Sequence, residues 1–71
     1  MIDAKRFYSL GELAENPIFK EKGTFSPKKL KGFVMRKKLK ANIFGVGNGR
    51  RYYVRGDWAI EFLAKFEDGS L

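Results

Sequence analysis

The sequence contains no cysteine and no histidine, and it has only two prolines, Pro17 and Pro27, in 71 residues. Without cysteine there is no disulfide framework and no thiolate ligand or nucleophile, which suits a reducing cytoplasm. Without histidine, the usual zinc ligand and the usual neutral-pH general base are both missing. No paired carboxylates share a spacing suited to acid–base chemistry, so the chain is not expected to be an enzyme, and neither a cofactor nor a small-molecule ligand is expected. No apolar run approaches the ~20 residues of a spanning helix, and the first residues lack the apolar stretch of a signal peptide. There is also no repeat, no low-complexity tract and no linker. The expectation is one small intracellular domain over 1–71 that does not engage a membrane, with frayed ends at 1–4 and 68–71.

What is abundant is aromatic carbon and positive charge. Seven Phe, three Tyr and one Trp supply enough apolar area for a folded core. The net charge is +7, and its placement says more than its size. Between Lys20 and Arg55 twelve Lys and Arg stand against a single acid, Glu21, while the two ends carry seven acids and three cations. Solvating charge usually mixes both signs, whereas a one-signed block creates a field that a polyanion would feel over roughly 10 Å at moderate salt.

Ser9 and Glu12 have the spacing of a capping box, followed by Leu10, Leu13 and Ala14 at helical intervals. This predicts a short first helix, packed at its start by Phe7 or Tyr8 and stopped by Asn16-Pro17. Ile18 to Phe25 reads as a connection anchored by Ile18, Phe19 and Phe25, with a weak signal for one extra helical turn at 18–22. Ser26 as N-cap and Pro27 at the first helical position open a second helix. Setting Leu30 at the centre of its buried face brings Phe33, Val34 and Lys37 within about 60°. Lys28, Lys31, Gly32, Met35 and Arg36 then fall on the opposite face, with Lys29 at its edge. A helix of this diameter enters the major groove of B-form DNA, where Lys and Arg reach phosphates or guanine edges and Met35 a thymine methyl. Gly32 in mid-helix costs about 1 kcal/mol against alanine. Two explanations compete: close approach to a DNA backbone, or close packing against a neighbouring element.

Further along, the segments Ile43 to Val46 and Arg51 to Val54 flank Gly47-Asn48-Gly49-Arg50, where Asn-Gly is a strong signal for a two-residue hairpin turn. Alternation puts Tyr52 and Val54 on the core side and Arg51 and Tyr53 on the other. Arg50 and Arg51 come to the hairpin tip. The glycines at 45, 47 and 49 imitate a phosphate-cradling loop, but no helix start follows them. Gly56-Asp57 opens the last helix, with Asp57 as N-cap, a stripe of Ala59, Phe62, Leu63 and Phe66 closing the core, and Trp58 covering the hairpin base.

The succession Tyr8-Ser9-Leu10-Gly11-Glu12-Leu13-Ala14, Phe25-Ser26-Pro27-Lys28-Lys29-Leu30, Arg36-Lys37-Lys38-Leu39-Lys40-Ala41 and Gly49-Arg50-Arg51-Tyr52-Tyr53-Val54, with a closing helix at 57–66, resembles the excisionase and MerR-type winged-helix DNA-binding family over nearly the whole chain. The resemblance implies an α+β fold, a small winged helix-turn-helix of three helices with a two-stranded β-hairpin wing between the second and third. It also implies that the second helix enters the major groove through Lys28, Lys31, Met35 and Arg36, while Arg50 and Arg51 of the wing meet the backbone or minor groove. Combined with the wheel and the hairpin, the candidate DNA-contacting residues are Ser26, Lys28, Lys29, Lys31, Gly32, Met35 and Arg36 on the helix, and Asn48, Arg50, Arg51 and Tyr53 on the wing. Two departures from the family stand out: Lys38 occupies a position where glycine is common, and the 18–25 connection is longer than usual.

The resemblance is to the DNA-binding domain alone, so a stand-alone domain without the coiled coil or ligand-binding domain of MerR-type regulators is expected, in the cytoplasm of a prokaryotic cell or phage-infected host. The function expected is therefore that of an excisionase-like recombination directionality factor of a phage or mobile element, which binds and bends double-stranded DNA beside an integrase or recombinase, or beside cooperative copies of itself. A small transcriptional regulator with the same binding mode is the alternative. A terminase small-subunit-like packaging factor and an RNA-binding module, with Phe44, Tyr52 and Tyr53 stacking on bases, are further ones.

Overall fold

A computed structural model describes residues 2–69 apart from the side chain of Asn48; the expected fraying of Met1, Ser70 and Leu71 and the Asn48 side-chain contact lie outside the described residues. The chain builds β1 (Phe7–Ser9), α1 (Leu10–Glu15), α2 (Pro17–Lys22), α3 (Pro27–Met35), β2 (Asn42–Phe44), β3 (Arg51–Arg55) and α4 (Gly56–Asp68). The expected three helices and two-stranded hairpin are thus corrected to four helices and a three-stranded antiparallel sheet in the order β1-β3-β2.

The extra helix comes from one dipeptide acting in two directions. Asn16 ends α1 in an extended conformation, as the following proline requires, and its side-chain Oδ1 then accepts from the Ile18 N–H at 3.0 Å to cap α2. Pro17 sits at the start of α2, where its missing N–H costs nothing. The long connection of the sequence reading is therefore a helix placed between α1 and α3. The capping box before α1 forms as expected, with Ser9 Oγ accepting from the Glu12 N–H and Glu12 Oε1 from the Ser9 N–H.

The extra strand pairs Phe7 with Arg55, Tyr8 with Val54 and Ser9 with Tyr53. Its pairing partner is distant in sequence, so no local pattern announces it. Ahead of it, Ile2 is buried at 7% exposure, and the Asp3 N–H donates to the Tyr8 hydroxyl. The carbonyls of Arg6 and Ala4 accept from the N–H groups of Gly56 and Asp57 at 2.8 and 3.1 Å. Residues 2–4 are therefore built into the fold rather than frayed, and the Ala4 and Arg6 carbonyls take the first N–H groups of α4, while the Asp57 side chain, expected as the N-cap, accepts only from the neighbouring Trp58 N–H. Asp57 stands within the first turn of α4, whose N-cap, Arg55, makes no side-chain capping bond. At the other end Asp68 completes α4, and Gly69 closes it in the left-handed conformation with φ 72°.

Phe62 of α4 is 2% exposed and is the hub of the core. The rings of Phe19, Phe25, Phe33 and Phe66 surround it at 5.0 to 6.2 Å between centroids. One aromatic cluster thus ties α2, the segment before α3, α3 itself and α4 together, each pair adding about 0.5–1.5 kcal/mol beyond its buried area. Leu13, Leu30 and Val54 are fully buried around it.

The hairpin differs from the expected two-residue turn. β2 and β3 pair Asn42 with Tyr53, Ile43 with Tyr52 and Phe44 with Arg51, and residues 45–50 form a wider loop containing a 3₁₀ turn at Gly47–Gly49. The left-handed residues are Gly45 (φ 87°) and Gly47 (φ 59°), not the Asn48-Gly49 pair that a two-residue turn would use. A Cβ on Gly45 would stand 2.7 Å from the Gly49 carbonyl oxygen, so the loop closes only over a glycine there. Val46, expected in the strand, lies in the loop at 86% exposure.

Candidate functional site

α3 begins as the sequence dictates. Ser26 Oγ accepts from the Lys29 N–H at 3.2 Å, Pro27 occupies the first turn, and Leu30 and Val34 are buried while Phe33 packs partly against the core. The opposite face is open: Lys28, Lys29, Lys31, Met35 and Arg36 are exposed. Ser26 is exposed as well, with its hydroxyl committed to the cap.

Several of these side chains are steadied by the fold. Lys29 Nζ donates to the Thr24 carbonyl at 3.1 Å. Arg36 Nε donates to the Gly32 carbonyl at 3.2 Å, and its guanidinium lies 4.9 Å over the Phe33 ring. Lys31 places its ammonium 5.7 Å from the Tyr52 ring centroid, a direct link between α3 and β3. Gly32 has no neighbouring element over it: an added Cβ would meet only Arg36 Nη2, at 3.7 Å. Of the two explanations for this glycine, close packing within the fold is removed.

On the hairpin, Arg50 and Arg51 are exposed and Tyr53 is half-buried. Tyr52 and Val54 face the core, at 8% and 0% exposure. Alternation and register put Arg51, Tyr53, Asn42 and Phe44 together on the outer face of the sheet. There Phe44, 55% exposed, meets Tyr53 edge-on at 5.6 Å.

Nine Lys and Arg lie between Lys28 and Arg51 with no acid among them. Among the described residues every ion pair uses a cation outside that stretch: Arg6–Glu12, Lys20–Glu15, Lys22–Glu67, Arg55–Asp57 and Lys65–Glu61. Five of the seven acids at the ends of the chain are thus paired with cations outside 28–51, which leaves that stretch uncompensated among the described residues. Hydrogen bonding shifts two of the end groups. The Ser9 N–H holds the Glu12 carboxyl below its ordinary range against the cost of desolvation, aided by the Ser9 hydroxyl and Arg6, and Glu67 raises the Lys22 ammonium.

Lys37, which the wheel places beside the buried face of α3, lies beyond the end of that helix and is exposed, and with Lys38 and Lys40 it gathers elsewhere. With Lys65 they rim a groove of about 470 Å³ between the end of α3, β2 and α4. The residue with positive φ here is Lys37, at 60°, one position before the expected departure at Lys38. The N–H of Lys37 donates to the Val34 carbonyl and that of Lys38 to the Phe33 carbonyl, which is the Schellman closure of a helix end with lysine where glycine is usual. A stop signal that omits glycine is not readable from residue preference.

Among the described residues no helix is long and apolar enough to cross a membrane. No protein-family model matches this chain, and no curated protein and no solved structure is significantly similar to it.

Proposed function

We propose that this chain is a double-stranded DNA-binding protein of the winged helix-turn-helix kind, with α3 as the recognition helix in the major groove and the β2–β3 hairpin as a wing on the backbone or minor groove. The observation that carries the reading is the run of nine cations between Lys28 and Arg51 with no acid among them, of which Lys28, Lys29, Lys31 and Arg36 are exposed along α3 and at its cap and Arg50 and Arg51 on the hairpin, none of them in an ion pair among the described residues. Unpaired cations on one helix face release counterions when they neutralise phosphates, which is the main source of duplex affinity. Gly32, half-buried and covered by nothing but the flexible Arg36 side chain, allows a phosphate backbone or base edge to come close to the helix. Within this reading the role is that of an excisionase-like architectural factor acting beside a recombinase or further copies of itself. A small transcriptional regulator would use the same surface.

A second reading, single-stranded RNA or DNA binding, is favoured by the outer sheet face, where Phe44 and Tyr53 lie beside Arg51 as a stacking platform. Tyr52, with its ring in the core, takes no part in it. Fluorescence anisotropy with random-sequence duplex DNA and matched single-stranded RNA, over a salt series, decides between the two. Duplex preference is expected, with affinity falling steeply in salt and with Arg36→Ala and Arg50→Ala each reducing the salt slope by about one. RNA preference, or a salt slope unchanged in both variants, would overturn the proposal.

A further inference from the structure

We propose that the groove between the end of α3, β2 and α4 docks an acidic peptide segment of a partner protein, anchored by one or two apolar side chains. Its floor is apolar: Val34, Leu39, Ile43, Trp58 and Phe62 line it. Ile43 lies opposite Tyr52 and therefore on the core side of the sheet, yet it is 48% exposed, because β2 is an edge strand and the helices stop short of it. Apolar surface on the inner side of a sheet, left open to water, marks a place where a further element fits.

The rim selects the charge of that element. Among the described residues Lys37, Lys38 and Lys40 have no acid partner, and the one carboxylate at the groove, Glu61, is already paired with Lys65 at 3.3 Å. These cations are presented from a fixed frame: the helix closure holds the backbone at Lys37 and Lys38, and the Lys40 ammonium rests 5.5 Å from the Trp58 ring centroid. An occupant must combine carboxylates with an apolar knob. A DNA duplex brings phosphates but no apolar group to insert, whereas a peptide with acidic residues flanking Leu or Phe brings both. The DNA-facing candidates Lys28, Lys31, Met35 and Arg36 do not line this groove, so the two surfaces can be occupied together. The inference stands whether or not duplex DNA binds α3.

The test uses a fluorescein-labelled ten-residue peptide with glutamates around a Leu-Phe pair, a second peptide with that pair replaced by serines, and a third with glutamine for glutamate. Trp58, the single tryptophan, reports occupancy through its emission. The first peptide is expected to bind and shift Trp58 emission to the blue, while the other two bind at least about tenfold more weakly, the loss of roughly 1.4 kcal/mol. Lys38→Glu with Lys40→Glu, and separately Ile43→Ser, should each weaken the first peptide by a similar factor with an unchanged far-UV spectrum, since all three side chains are exposed. Equal binding of the serine peptide, indifference to both variants, or a single-stranded oligonucleotide that binds the groove more tightly than the peptide would overturn the proposal.

Discussion

Replacing Gly32 with alanine separates the stability of α3 from what α3 is for. A glycine in a helix interior costs about 1 kcal/mol relative to alanine, through backbone entropy and exposure of the chain. That gain is realised only where the new methyl meets no obstacle, and here it would meet Arg36 Nη2 at 3.7 Å, an ordinary van der Waals contact with the end of a flexible side chain. The Arg36 bond to the Gly32 carbonyl is compatible with it. Gly32→Ala is therefore expected to stabilise the protein by about 1 kcal/mol, raising the midpoint of a thermal far-UV circular dichroism melt by about 4–8 °C for a domain of this size. Duplex affinity should move the other way, falling by roughly three- to tenfold, about 0.7–1.4 kcal/mol, as the methyl holds the DNA off the helix. A lowered melting point would refute the geometry of α3, because it would mean that an element does pack on Gly32. A raised melting point with unchanged affinity would leave the fold intact and refute the placement of this face against DNA.

Other perturbations probe the frame around that helix. Lys37 is the one non-glycine residue with positive φ among the described residues, and Lys37→Gly should relieve about 1 kcal/mol of strain, moving the urea midpoint up without changing the slope; a lower midpoint would contradict the left-handed closure. Gly56→Ala drives a methyl into the Asp3 carbonyl, and because the obstacle is backbone the 2–6 segment must lift from α4. A loss of about 3 kcal/mol or more is expected in denaturant titration, and a neutral result would mean that this segment does not seat there. The Glu12 carboxyl is held low by the Ser9 N–H, so its stabilisation is present above the ordinary glutamate pKa and disappears as pH falls through the lowered folded value. Glu12→Ala should thus lower the melting point at neutral pH and converge with wild type in acid; a constant gap across that range would refute the assignment.

Local signals were legible where the physics is local. The capping box at Ser9 and Glu12, the Ser26-Pro27 start, the buried stripes of α3 and α4 and the alternation of β3 each depend on residues a few positions apart, and each appears where the residues place it. Asn16-Pro17 carries the same start signal as Ser26-Pro27, but a proline after asparagine also stops the preceding helix, so the start of α2 is masked by the end of α1. The hairpin was right in kind and wrong in its turn: Gly45 and Gly47 supply the left-handed backbone, and Asn48-Gly49 lies inside the 3₁₀ turn.

By itself the sequence determined the charge block, the aromatic supply, the helix starts and the exposed set on α3, because composition, caps and periodicity are properties of neighbouring residues. Only the tertiary structure decided that Phe7–Ser9 becomes a strand on β3, that the Ala4 and Arg6 carbonyls cap α4, and that Lys37, Lys38 and Lys40 surround an apolar groove instead of joining the outer face of α3. Each of these depends on groups far apart in the chain meeting in space. The pairing of Tyr8 with Val54, or of the Ala4 carbonyl with the Asp57 N–H, has no trace in the residues on either side of it.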